Sequence, residues 1–137
     1  MVRPEIIRKR LNKLDEYLAI LEKARRYSWE EFAGDPERYG SVERFLHLSL
    51  EALQDMGNHV IADLELGFVN RSRDIPETFA KQGWINEGLK EKWIRMIGFR
   101  NILVHDYLEV DRRIVYETLQ HRLDDLKQIR DVFVPFL

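Results

Sequence analysis

Apolar residues recur along this chain in steps of three and four. Ile7, Leu11, Leu14, Leu18 and Leu21 mark one face of a helix of about six turns. Pro4 suits its first turn, where a missing N–H costs nothing. Arg25-Arg26-Tyr27 marks its end, with basic residues that complement the helix dipole. Ser28-Trp29-Glu30-Glu31 has the form of a capping box and predicts a short turn of helix. Gly34 interrupts it. Asp35 then reads as N-cap and Pro36 as first residue of the next helix. The stripe Val42, Phe45/Leu46, Ser49, Leu53, Met56, Val60 and Leu64 carries this second long helix to about Gly67, the expected C-cap. Between residues 67 and 86 the pattern is irregular. Asp74-Ile75-Pro76 and Gln82-Gly83 bracket at most a short helix. Asn86 can cap a third long helix carrying Leu89, Trp93, Met96, Ile97, Leu103 and Val104. Leu108-Glu109-Val110-Asp111 reads as a link, with Asp111 as the next N-cap. Ile114/Val115, Leu119, Leu123, Leu126, Ile129 and Phe133 predict a fourth long helix, stopped before Pro135. There is no sustained strand alternation, flexible linker or internal repeat. The expectation is an all-α bundle of four long helices plus short ones, a single domain over residues 1–137.

Composition narrows the class. Hydrophobic residues make up 45% and charged residues 34%. That is too apolar for a disordered chain and too charged for a membrane bundle. Net charge is −2, which excludes a large basic field. A local bias remains, because residues 81–113 carry seven basic and five acidic side chains. If nucleic acid binds there, affinity should fall steeply with salt. The absence of cysteine removes disulfides, zinc-thiolate sites and a Cys nucleophile. Charges break every apolar run near the N-terminus, so no signal-peptide core is expected. No run approaches the ~18 apolar residues of a membrane span. A cytoplasmic protein is expected, and a helical chain this small often completes its core by pairing with a copy of itself.

One segment combines these patterns with chemistry. At roughly 100° per residue, Arg100 falls in the middle of the apolar stripe of the third long helix. Asn101 and His105 form an i,i+4 pair beside it. A charge in that position must be paired or must face a cleft. Its guanidinium fork suits phosphate or carboxylate, and a nearby imidazole can move a proton near neutral pH. Asn101 can orient that ring or donate to a phosphate oxygen. A purely structural arrangement satisfies the same pattern: Arg100 pairing with an acid on another helix, and His105 capping the helix end.

The string Gly98-Phe99-Arg100-Asn101-Ile102-Leu103-Val104-His105-Asp106-Tyr107 resembles the signature of the HEPN superfamily, in particular its HepT-like toxin branch. That motif is Arg, four residues, His, one residue, Tyr, and Arg100, His105 and Tyr107 fill the three places. Asn101 is the type of polar residue that branch carries after the Arg. Gln54-Asp55-Met56-Gly57-Asn58-His59-Val60-Ile61 is similar to the family's central helix. The stretches from Gly88 to Tyr107 and from Tyr116 to Phe133 match its pattern too. The resemblance implies a metal-independent endoribonuclease with no cofactor, acting as a homodimer that brings both Arg/His sets to one cleft. His105 would serve as base or acid and Arg100 would stabilise the phosphoryl charge. RNA would be the substrate, and DNA, lacking a 2′-hydroxyl, would be inert. The resemblance further implies a minimal nucleotidyltransferase antitoxin that adds AMP to Tyr107, placing bulk and negative charge at the cleft mouth. Without the family match, Tyr107 reads as an aromatic covering a helix end. A different class of function is also compatible: a non-catalytic helical binding subunit of a nucleotidyltransferase complex.

Asn58 and His59 lie on the second long helix, where they could support the cleft residues from behind, although a flank histidine explains His59 as well. His47 and His121 have no metal-like spacing and are assigned to solvated faces. The Trp93/Met96 stripe is expected in the core or a dimer seam rather than in a base-stacking platform.

Overall fold

The computed structural model describes residues 1–105 and 111–137, with His105 described by its backbone alone. Helices α1 (Pro4–Ala24), α2 (Trp29–Ala33), α3 (Pro36–Asp63), α4 (Asp74–Lys81), α5 (Glu87–His105), α6 (Arg112–His121) and α7 (Leu123–Asp131) are followed by a 3-10 turn at Val134–Phe136. No strand occurs among the described residues. The local signals act as expected. Ser28 accepts from the Glu31 amide and Glu31 returns a bond to the Ser28 amide. Asp35 caps α3, Asn86 Oδ1 accepts from the Leu89 amide, and Asp111 caps α6.

α1 and α3 form an antiparallel pair. Ile7, Leu11, Leu14, Leu18 and Leu21 are buried against Val42, Leu46, Leu53, Met56 and Val60 in one continuous core. Buried Ser49 satisfies its hydroxyl on the Phe45 carbonyl at 2.7 Å. Arg3 closes the far end of the pair with a two-pronged grip on Asp63, at 3.2 Å to each carboxylate oxygen. That grip holds the Asp63 carboxyl below the usual carboxylate range. Phe79 centres an aromatic knot with Trp84, Trp93, Phe133 and Phe136, at ring separations of 5.1–6.4 Å. The knot fastens α4, α5 and the C-terminal turn together, and so fixes the pitch of α5 two turns before Arg100.

Two boundaries differ from the sequence expectation. α3 ends at Asp63, ahead of Gly67. The Glu65 and Leu66 amides turn back to the Ala62 and Ile61 carbonyls at 3.2 and 2.9 Å, with Glu65 at a φ of 53°. This is a Schellman closure with a non-glycine residue in the left-handed position. The fourth long helix is divided at Arg122 into α6 and α7. Asp124 and Asp125 favour a helix N-terminus there. Buried Asp125 sits between Lys92 and Arg122 at 3.8 and 3.6 Å. The apolar register nevertheless runs through the break, and Leu119, Leu123, Leu126 and Ile129 are all buried.

Candidate active site

The site is built from the C-terminal half of α5 and the middle of α3. Trp93, Met96 and Phe99 are the buried residues of this α5 face, while Ile97, Leu103 and Val104 are half-buried. Phe99 lies outside the stripe drawn from the sequence. The reason is that α5 is apolar around much of its circumference, so its periodicity does not define a sharp face.

Arg100 lies at the edge of this core, its side chain 22% exposed. With Leu50, Leu53, Trp93 and Ile97 it lines a cavity of about 10 Å³, at the lower limit of what one water needs (~10–15 Å³). The guanidinium is paired across to α3. Nε donates to Glu51 Oε1 at 2.7 Å and Nη2 reaches the same oxygen at 2.6 Å. Nη1 donates to Asn101 Oδ1 at 3.3 Å, and Asn101 is otherwise exposed. The structure therefore brings Arg100 and Asn101 together and supplies the acidic partner that a charge in this stripe requires.

Glu51 was not singled out by the sequence, and neither was the neighbour that completes the group. His47 Nε2 lies 3.3 Å from Glu51 Oε1, so His47 is part of this cluster and not of a plain solvated face. The His47/Glu51 i,i+4 spacing was legible, but which flank of α3 faces α5 was not. One turn earlier on the same flank, burial pushes the Glu43 carboxyl up, and the nearby Arg112 pulls it back less strongly. Arg112 itself lies 4.0 Å over the Tyr39 ring and donates to its hydroxyl at 3.0 Å.

Asn58 and His59 are not gathered here. His59 Nδ1 lies 3.4 Å from Arg3 Nη2, at the other end of α3. Eight residues separate it from Glu51, about 12 Å along the axis. Asn58 is exposed. His121 is exposed beside Glu117. Position 105 ends α5, five residues and about 7.5 Å along the axis beyond Arg100. The His105 side chain and all of Tyr107 lie outside the described residues. No cluster of His, Asp or Glu able to hold a metal ion occurs among the described residues. No helix among them is long and apolar enough to cross a membrane.

The basic bias around the motif is extensively paired. Lys90 meets Glu87 at 2.8 Å, Lys92 approaches Asp125 at 3.8 Å, Arg113 approaches Glu117 at 3.6 Å, and Arg100 holds Glu51.

Known proteins resemble this chain in sequence and in fold. The family described as Ribonuclease HepT-like matches residues 10–132. The mRNA nuclease HepT of Shewanella oneidensis is 36% identical over 102 residues, covering 74% of this chain and 77% of its own. The tRNA nuclease HepT of Aphanizomenon flos-aquae is 26% identical over 122 residues, 89% of this chain and 83% of its own. A solved structure of a tri-AMPylated Shewanella oneidensis HEPN toxin in complex with its MNT antitoxin superposes with a TM-score of 0.83. It is 30% identical and covers 93% of this chain and 96% of that one.

Proposed function

This chain belongs to the HepT-like ribonuclease family, and from that premise we propose that it is an endoribonuclease toxin that cuts RNA without a metal ion at a cleft between two copies of itself. The observation that carries this is the sequence run from Arg100 to Tyr107, with Arg100 on α5 anchored to α3 through Glu51. In the reaction, the ribose 2′-oxygen attacks the adjacent phosphorus and the 5′-oxygen leaves. One His105 accepts the 2′-hydroxyl proton, and the His105 of the second copy returns a proton to the leaving oxygen. Arg100 offsets the charge that builds on the phosphoryl oxygens, and Asn101 adds a polar contact beside it. The products are a 2′,3′-cyclic phosphate and a 5′-hydroxyl.

The surface of α5 supports the pairing of two chains. Gly98 and Asn101 are exposed on this helix, with half-buried Ile94, Ile97 and Ile102 around them. A Cβ on Gly98 would meet no atom of the described residues within 4 Å. A glycine inside a helix costs about 1 kcal/mol against alanine. An open glycine flanked by isoleucines therefore fits the close approach of a second α5.

Activity is restrained, in this proposal, by a nucleotidyltransferase antitoxin that adds AMP to Tyr107. The AMPylated Shewanella oneidensis toxin supports that step. Negative charge on Tyr107 repels RNA phosphates at the cleft mouth. Toxin, antitoxin and RNA meet in the cytoplasm. The test is the intact mass of the protein made alone and with its partner transferase, followed by cleavage of total RNA in EDTA. A gain in whole AMP units that Tyr107→Phe prevents, with cleavage only by the unmodified protein, is expected. Unchanged mass and no cleavage by well-folded protein would instead make this a binding subunit.

A further inference from the structure

The guanidinium of Arg100 has two usable edges. Its side edge, Nε with Nη2, is engaged by a single carboxylate oxygen, Glu51 Oε1, at 2.7 and 2.6 Å. Because the group is a rigid planar fork, engaging the side edge directs the end edge, Nη1 with Nη2, away from Glu51. Asn101 Oδ1 takes one Nη1 proton at 3.3 Å, which leaves one Nη1 and one Nη2 proton without a partner among the described residues and open to a second anion. Arg100 also borders a cavity of about 10 Å³ with Leu50, Leu53 and Ile97, too small to receive the guanidinium. Glu51 is in turn placed by α3, the helix whose opposite face forms the main core, and His47 approaches the same Oε1 at 3.3 Å.

We propose that Glu51, steadied by His47, is the positioning residue of the RNA-cleaving site: it clamps the side edge of Arg100 so that the end edge meets the phosphoryl oxygens. The proposal rests on the ribonuclease function described above. Glu51 touches no reacting atom and acts through Arg100. An ordinary ion pair between two helices would hold α3 to α5 and nothing more. The clamp differs, because its loss must appear in turnover and must vanish when Arg100 is absent.

The experiment measures kcat and KM for RNA cleavage by the full-length protein, by Glu51→Gln, by Arg100→Ala and by the double variant. Glu51→Gln is expected to lower kcat about tenfold to a hundredfold, since a misplacement of about 1 Å can cost ~10²-fold. KM and the melting temperature should change little. Glu51→Asp, which restores the charge, should recover part of the loss. In the Arg100→Ala background, Glu51→Gln should remove nothing further. A second measurement needs no variant of Glu51: the Nε–H of Arg100 should exchange with water more slowly than that of the exposed Arg44. Wild-type turnover in Glu51→Gln, with Arg100→Ala inactive, overturns the clamp and leaves the ribonuclease function standing. An equal loss in both backgrounds, or rapid exchange of the Arg100 Nε–H, overturns it as well. Full activity of Arg100→Ala would remove both the clamp and the role of Arg100.

Discussion

At the scale of single residues, Arg100 shows how a charge persists in an apolar stripe. Its side chain is largely buried beside apolar neighbours while its head is neutralised by Glu51. The sequence required either a partner or a cleft without naming one, since periodicity places residues on a helix but does not pair one helix with another. Glu51 and His47 became visible only once α3 lay against α5. Arg100→Ala and His105→Ala are each expected to lower RNA cleavage by about 10²- to 10⁴-fold, as loss of charge stabilisation or proton transfer usually does. Far-UV circular dichroism should show unchanged helix content for His105→Ala. Full cleavage by that variant would remove His105 from the reaction.

At the scale of elements, helix starts were more legible than helix ends. Ser28, Asp35, Asn86 and Asp111 announce α2, α3, α5 and α6 through short-range bonds that depend only on neighbours in sequence. The end of α3 was misread because glycine is the usual residue at a left-handed closure, whereas here Glu65 takes that position two residues before Gly67. The division at Arg122 was hidden because the apolar register continues across it. The seat of α4 was hidden too. A Cβ on Gly57 would collide with Ile75 Cγ2, so α4 approaches α3 through the missing side chain. Ile75 is buried and β-branched, which leaves that methyl little freedom to move. Gly57→Ala should therefore destabilise the fold by about 1–3 kcal/mol, despite alanine's higher helix propensity. Denaturant unfolding checks this, and a stabilised variant would show that α4 can shift at no cost.

At the scale of the molecule, the helices fold around one core, yet α5 keeps an open glycine and half-buried isoleucines on its outer side. Gly98→Leu should leave the isolated chain folded, because a Cβ there meets no atom of the described residues within 4 Å and leucine favours helix. It should halve the mass measured by light scattering and abolish RNA cleavage. A dimer of unchanged mass and activity would remove this face of α5 from the interface. The ion pairs of Arg100, Lys90, Lys92 and Arg113 also bear on how RNA is captured. Binding to a polyanion draws much of its free energy from the small cations that the nucleic acid sheds as protein cations replace them. A side chain that already neighbours a carboxylate displaces fewer of those cations. RNA capture by this protein should then be governed less by the ionic strength of its surroundings than the count of basic residues near the motif suggests.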